Sequence, residues 1–242
     1  MSTPLEVLFL RLEGPLQSWG DTAHWSVRDT RLEPTKSGVV GLLSACLGWG
    51  PGDRQIAELA SAIRMGVRVD RAGRVLRDYH TVVGGVMSAK GKVKITQTTK
   101  KPETVVSWRD YIADGCFLVG LETTSVVADH LIGALASPKW SPYLGRKSCV
   151  LSVPIFPSLP GHPSRIAGIS VEEGLQRFPW LGRDGNPPRQ LRAVIELAEG
   201  ERPTSRVIQR RYDVPESFAA RRYLSRYLAE ITLEITSANP LG

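Results

Sequence analysis

Residues 5–12 (LEVLFLRL) form a nearly continuous apolar run, the pattern of a strand covered on both faces for most of its length. Gly14-Pro15 ends it, and a polar, aromatic loop follows from Leu16-Gln17-Ser18-Trp19-Gly20 through His24, Trp25 and Arg28 to Arg31. Pro34 precedes a predicted helix with Thr35 or Ser37 as its cap. Val39, Val40, Leu42, Leu43 and Leu47 mark that helix as deeply buried, and Gly48 and Gly50 stop it. Asp53 is expected to cap a second, amphipathic helix through Ile56, Leu59, Ala60 and Ile63.

Asp70-Arg71-Ala72-Gly73 carries the composition of a hairpin turn between strands at 65–69 and 74–83. Residues 84–103 break the pattern, with a glycine pair, five lysines and no aromatic residue. Within them Lys92-Val93-Lys94-Ile95-Thr96 alternates, giving one cationic and one apolar face. Such a piece builds no core of its own, so a projecting hairpin inserted between strands is expected. Strands follow at 105–113 and 117–122, then a helix at 125–136, a loop at 138–147 and a strand near 148–156. Strand, helix, strand, strand, helix, strand is the order of an α+β, ferredoxin-like or RNA-recognition-like fold. Residues 157–188 are rich in proline and glycine around one short helix near 171–178, and 191–197, 205–212 and 223–235 read as further strands. The expected division is 1–156 for the ferredoxin-like domain, with its insertion at 84–103, and 157–242 for a linker and a small β-rich C-terminal domain.

Composition changes this picture in one respect. With 42% hydrophobic and 23% charged residues the chain is built to fold, and its net charge of +7 favours polyanionic partners. Cys46, Cys116 and Cys149 are far apart and odd in number, which excludes a disulfide framework or metal-ligand spacing and suits a reducing cytoplasm. The N-terminus carries no basic region before an apolar run, and the apolar stretch at 39–49 is about half of what a bilayer span needs. The protein is therefore expected to be cytoplasmic and away from membranes. A phosphate loop, HExxH and CxxC are all absent from the sequence, so neither cofactor nor metal is expected. The aromatic strand motif typical of RNA-recognition domains is absent too.

Four cationic groups stand out as candidates for phosphate contacts. Pro34-Thr35-Lys36-Ser37-Gly38 combines a helix N-terminus, hydroxyls and a lysine, a pattern suited to a phosphate cradle or to an ordinary cap. The hairpin supplies Lys90, Lys92, Lys94, Lys100 and Lys101, those of the alternating run on one strand face, with Met87, Val93 and Ile95 able to wedge against bases. Leu144-Gly145-Arg146-Lys147-Ser148 places two cations on a glycine turn. A C-terminal arginine set comprises Arg202, Arg206, Arg210, Arg211, Arg221, Arg222 and Arg226, suited to phosphate or to carboxylates of a protein partner.

Several of these segments resemble the CasD family, a subunit of the type I-E CRISPR surveillance complex called Cascade, in the RAMP superfamily. Residues 12–20 (LEGPLQSWG) followed by 31–43 (RLEPTKSGVVGLL) resemble its N-terminal signature. Residues 77–82 (RDYHTV), 142–147 (PYLGRK) and 211–215 (RYDVP) with Phe218 are similar to later family segments. The resemblance implies a thumb hairpin at 84–103 and antiviral function through binding the 5′ handle of the guide crRNA. It also implies contacts with the CasC backbone subunit and the large CasA subunit, and with target DNA only through the complex. On residues and resemblance together, the expected RNA contacts are Gln17, Trp19, Arg28, Thr35, Lys36, Ser37, Gly38, Arg77, His80, Lys90, Lys92, Lys94, Lys100, Lys101, Tyr143, Arg146, Lys147, Arg210 and Arg211.

No catalytic residue is expected, since in this subtype a separate subunit cuts the precursor RNA. The alternative is a metal-independent endoribonuclease of CRISPR repeat RNA, with Tyr79-His80 as acid or base and Lys36 as the cation. Tyr79 and His80 are adjacent on a predicted strand, however, so their side chains point to opposite faces. A DNA-binding protein is a weaker alternative, because no helix joins exposed basic residues to a turn-helix pattern.

Overall fold

The first apolar run forms β1 (Leu5–Glu13) in the computed structural model, which describes residues 5–20, 23–24, 26–84, 91–93, 95–157, 159–183, 186–198, 200–201 and 207–235. After it come β2 (Leu16–Gln17), β3 (Ala23–His24), β4 (Val27–Arg28), α1 (Lys36–Leu47) and α2 (Gln55–Ala62). The middle of the chain forms β5 (Arg64–Arg71), β6 (Arg74–Val82), β7 (Val105–Ala113), β8 (Cys116–Thr124) and α3 (Ser125–Ala136). The remainder forms β9 (Arg165–Ala167), α4 (Val171–Arg177), β10 (Gln190–Glu196), β11 (Val207–Ser217) and β12 (Arg222–Glu234).

Seven strands make one antiparallel sheet in the order β11-β12-β10-β5-β8-β1-β9. Alternation along β1 divides its side chains between two cores. Leu8, Leu10 and Leu12 pack with Val39 and Leu43 of α1 and Leu131 of α3, while Val7 and Phe9 pack with Val171 and Leu175 of α4. Each such side chain stabilises the fold by about 1.5–3 kcal/mol through burial. Helix α4 lies close on the sheet because β5 and β8 present Gly66 and Gly120 to it; a Cβ on either would come within 2.8 or 2.9 Å of Leu175 or Val171. Arg68 lies between them, fully buried, bidentate to Asp70 at 2.7 and 2.8 Å, and donates to the carbonyls of Leu175, Phe178 and Pro179. It thereby satisfies acceptors that the end of α4 leaves open.

The structure departs from the sequence expectations at several points. The turn at 70–73 does not make a hairpin of its flanking strands: β5 pairs with β8, and β6 with β7. The register Arg71↔Cys116 continues as Arg74↔Ala113, so β5–β6 and β7–β8 are two long strands of one ribbon. The ribbon bends out of the sheet at Gly73 (φ +69°) and Asp114 (φ +58°). Its outer half joins a second sheet, with β2 antiparallel and β4 parallel to β7. The strand expected near 148–156 is irregular chain, interrupted by Pro154; the partner of β1 there is β9, reinforced by the Arg11 N–H to Ile155 O bond at 2.7 Å. Asp53 does not cap α2, whose N-cap is Arg54, but accepts from the Gly50 N–H. The strands expected to form a separate C-terminal unit extend the main sheet, β10 pairing with β5 through Ala193, Val194 and Ile195. Of the insertion expected at 84–103, residues 85–90 and 94 lie outside the described residues; the rest includes an Ile95↔Pro102 bridge closed by Thr96 N–H to Lys101 O.

Glu13 sits where the ribbon leaves the sheet. Its buried carboxylate meets Arg11, Arg71 at 2.9 Å and Arg183 at 2.7 Å, and the latter two also reach Asp114. Burial alone would raise its pKa, but the hydrogen bonds from Arg71 and Arg11 outweigh that and hold it at about 2, against 4.5 for a free glutamate. A carboxylate with a depressed folded pKa stabilises above its unfolded pKa, and that stability is lost as pH falls through the folded one. Denaturant midpoints should therefore fall between pH 4.5 and about 2, and Glu13→Gln should flatten that fall while lowering the midpoint at pH 7.

Candidate nucleic-acid interface

The two N-terminal motifs and the 143–147 turn converge, and they do so around a tryptophan. Trp19 is 1% exposed and its indole donates to Gln17 Oε1 at 3.0 Å. Gln17 in turn donates to the carbonyls of Leu12 and Gly115 at 3.3 and 2.8 Å. The indole lies on Gly38, where a Cβ would approach Trp19 to 2.7 Å. Gly145 (φ +84°) lies so close to Ser18 that a Cβ would fall 1.7 Å from its carbonyl oxygen. Thr35 is fully buried and caps α1 by accepting from the Gly38 N–H at 3.3 Å. Gln17, Trp19 and Thr35, expected to touch RNA, are thus committed to holding the motifs together.

The expected phosphate cradle at Lys36 is also filled from within. Its side chain, 3% exposed, donates to Glu196 at 2.8 Å and to Ile63 O at 2.8 Å. The Lys36 backbone N–H donates to Asp213 Oδ2 at 2.8 Å, so an internal carboxylate occupies the anion position at the helix N-terminus. Asp213 is fully buried and bidentate to Arg226, which reaches Glu196. Burial tends to raise the Asp213 pKa, yet the Arg226 bonds keep it below the usual carboxylate range; desolvation dominates at Lys36 and lowers its pKa. Arg211 is buried as well and donates to Glu33 at 2.7 Å, and Arg192 bridges Glu33 to Glu230. Neither Lys36 nor Arg211 is available to a phosphate, because each charge is desolvated and paired.

The residues that remain accessible fall into three places. Ser37, Gly38, Tyr143 and Lys147 line one groove of about 660 Å³ between α1 and the 140s loop, together with Trp49, Trp140 and Phe218. Beside the groove, the Arg146 guanidinium lies 4.5 Å above the Tyr111 ring and donates to Arg28 O at 3.0 Å.

The second place is the outer half of the ribbon. Register Tyr79↔Trp108 puts these rings side by side, centroids 4.8 Å apart, with 53% and 45% of their surfaces exposed. Two positions along the same face, Arg77 is held bidentate by Asp110 at 2.7 and 2.8 Å. Arg28 on β4 is exposed beside β7. His80 turns to the other face, with Nδ1 3.6 Å from Asp78 Oδ2. Lys92, Lys100 and Lys101 are exposed beyond the ribbon, while Lys90 and Lys94 lie outside the described residues. The third place is the outer face of β11–β12, where Arg210 lies over Tyr212.

Sequence reasoning did not place Trp108, Trp49 or Trp140 at the site, and it read Phe218 only as part of a family segment. Trp108 shares its alternation with Asp110 on β7, but its pairing with Tyr79 depends on a register no local pattern carries. Such an arrangement offers ring faces for bases and cations for phosphates. Among the described residues no group of three or more histidines, cysteines and acids could hold a metal ion, and no helix is long and apolar enough to cross a membrane.

Comparisons with known proteins agree on one family. The family model described as CRISPR-associated protein (Cas_Cas5) matches residues 7–228. The Escherichia coli (strain K12) CRISPR system Cascade subunit CasD is 39% identical over 161 residues, covering 62% of this chain and 69% of that protein. A crystal structure of a Cas protein superimposes with a TM-score of 0.69 at 35% identity, covering 97% of this chain and all of the other. A chain of a CRISPR RNA-guided surveillance complex gives a TM-score of 0.73 at 29% identity, covering 97% of this chain and 94% of its own. With a family match that runs from residue 7 to residue 228, this chain belongs to the CRISPR-associated Cas5 protein family.

Proposed function

We propose that this protein is a non-catalytic, cytoplasmic RNA-binding subunit of a Cascade-type antiviral complex, gripping the 5′ handle of the guide crRNA. In this role it caps the CasC backbone next to CasA and meets target DNA only through the complex. The observation that carries this is the ribbon: it leaves the main sheet with Tyr79 and Trp108 exposed side by side, Arg77 on the same face, Arg28 on the opposite face, and lysines toward its tip. Unpaired RNA is recognised by such stacking surfaces flanked by cations, whereas a continuous duplex offers no free base faces. The groove with Ser37, Tyr143 and Lys147 is a second contact for the same strand.

The order β5-β8-β1-β9, with α1 following β1 and α3 following β8, fits a ferredoxin-like unit whose fourth strand, β9, lies beyond the boundary expected at residue 156. In that scheme 84–103 is its thumb and 157–242 a C-terminal addition whose strands continue the sheet.

The non-catalytic reading is supported by chemistry as well as by the family resemblance. Cutting RNA without metal takes an acid, a base and a cation around one phosphate. Lys36 is bound to Glu196, and Tyr79 and His80 face opposite ways along a regular ladder. Incubated for hours with labelled repeat RNA in EDTA, the purified protein should bind the RNA and leave it intact. A specific cut that disappears in His80→Ala would replace this proposal with the nuclease one.

A further inference from the structure

Helix α4 covers one face of the main sheet over β5 and β8, and Ile231 and Leu233 of β12 pack into the same core. Farther along that face no helix covers the sheet among the described residues. Tyr227 follows the alternation of Ile231 and Leu233 yet is 53% exposed, and Tyr212, beside it on the outermost strand β11, is 57% exposed. Arg210, paired with Tyr227 in the ladder, lays its guanidinium 5.0 Å from the Tyr212 ring centre and 6.0 Å from that of Tyr227. Its hydrogen bond goes to the Ser225 hydroxyl at 3.1 Å. The contrast with Arg211 and Arg226 is informative: these point to the other face and are buried on carboxylates, while Arg210 is held outward by rings and a hydroxyl.

We propose that Arg210, Tyr212 and Tyr227 form a platform for an unpaired nucleic-acid strand, separate from the strand held by the ribbon and groove. Two exposed phenol rings give stacking faces for successive bases, and the guanidinium between them gives a phosphate its donor fork. An acidic ligand suits a chain of net charge +7. The platform lies on the α4 side of the sheet, whereas the groove is built on α1, which packs on the opposite side. One segment of strand therefore does not occupy both. RNA and DNA share this chemistry, and the platform does not depend on the handle assignment.

The test uses the full chain saturated with unlabelled handle-containing RNA, and reads fluorescence anisotropy of labelled twelve-nucleotide oligo(U) and oligo(dT). Replacing Tyr212 and Tyr227 together by alanine should weaken binding of at least one oligonucleotide about tenfold or more. The Tyr212→Phe, Tyr227→Phe pair, which keeps both rings, should bind as the parent does. Handle RNA affinity should stay within about twofold in both. The oligonucleotide that loses more identifies the natural source as RNA or DNA. Should the alanine pair lower the melting temperature, Arg210→Glu supplies the same readout from an exposed side chain. Unchanged affinity for both oligonucleotides overturns the proposal. So does loss of a co-purifying protein subunit with oligonucleotide binding intact, which would make the face a protein contact.

Discussion

Asp213→Ala is expected to destabilise the fold by about 3–5 kcal/mol, the cost of breaking a buried ion pair from one side. The substitution leaves Arg226 buried with only Glu196 as counter-charge and strips the Lys36 N–H of its acceptor. A thermal or denaturant melt should show it directly. Lys36→Met is expected to be milder, since Glu196 keeps Arg226. Its diagnostic value lies elsewhere. If Lys36 contacted a phosphate, removing it would reduce the slope of log affinity against log salt by about 0.7–0.9. Because its ammonium is committed to Glu196, that slope should be unchanged in Lys36→Met, even where the melting temperature falls. A shallower slope in a folded variant would return Lys36 to the RNA interface.

Deleting residues 90–101 should leave a protein that melts like the parent but assembles poorly on guide RNA. The ribbon β6–β7 is held by its own ladder and by β2 and β4, so the sheet and both cores stay in place without the tip. Replacing Tyr79 and Trp108 by alanine is a finer version, removing two stacking faces and costing about 1–3 kcal/mol of RNA binding per base lost. Assembly and target binding at normal levels in the deletion would sink the role given to the ribbon.

How much of this could be read from the residues follows from where the partners lie. Helices α1, α3 and α4 and the central strands were predictable because their periodicity is local, as are the Thr35 cap and the Gly48 stop of α1. The burial of β1 on both faces followed from its nearly continuous apolar run. The fate of the cations did not, because Lys36 finds Asp213 177 residues later and Arg211 finds Glu33 178 residues earlier. A basic residue beside glycine and hydroxyls looks the same in sequence whether its counter-ion is a phosphate or a distant carboxylate. The 70–73 turn misled for a related reason: its composition reports a bend, not which strand lies across from it. Trp19 and Gln17 belonged to a recognised motif, yet their place is a buried junction that positions the groove rather than its lining.

The nucleic acid that copurifies with this chain, when it is co-expressed with its neighbouring subunits and a CRISPR array, tests the handle assignment most directly. The expected result is a guide RNA whose repeat-derived 5′ end is shielded from nuclease by this chain, and loses that shielding when residues 90–101 are deleted. Recovery of DNA, of no nucleic acid, or of a guide whose 5′ handle is equally exposed with and without this subunit would contradict it.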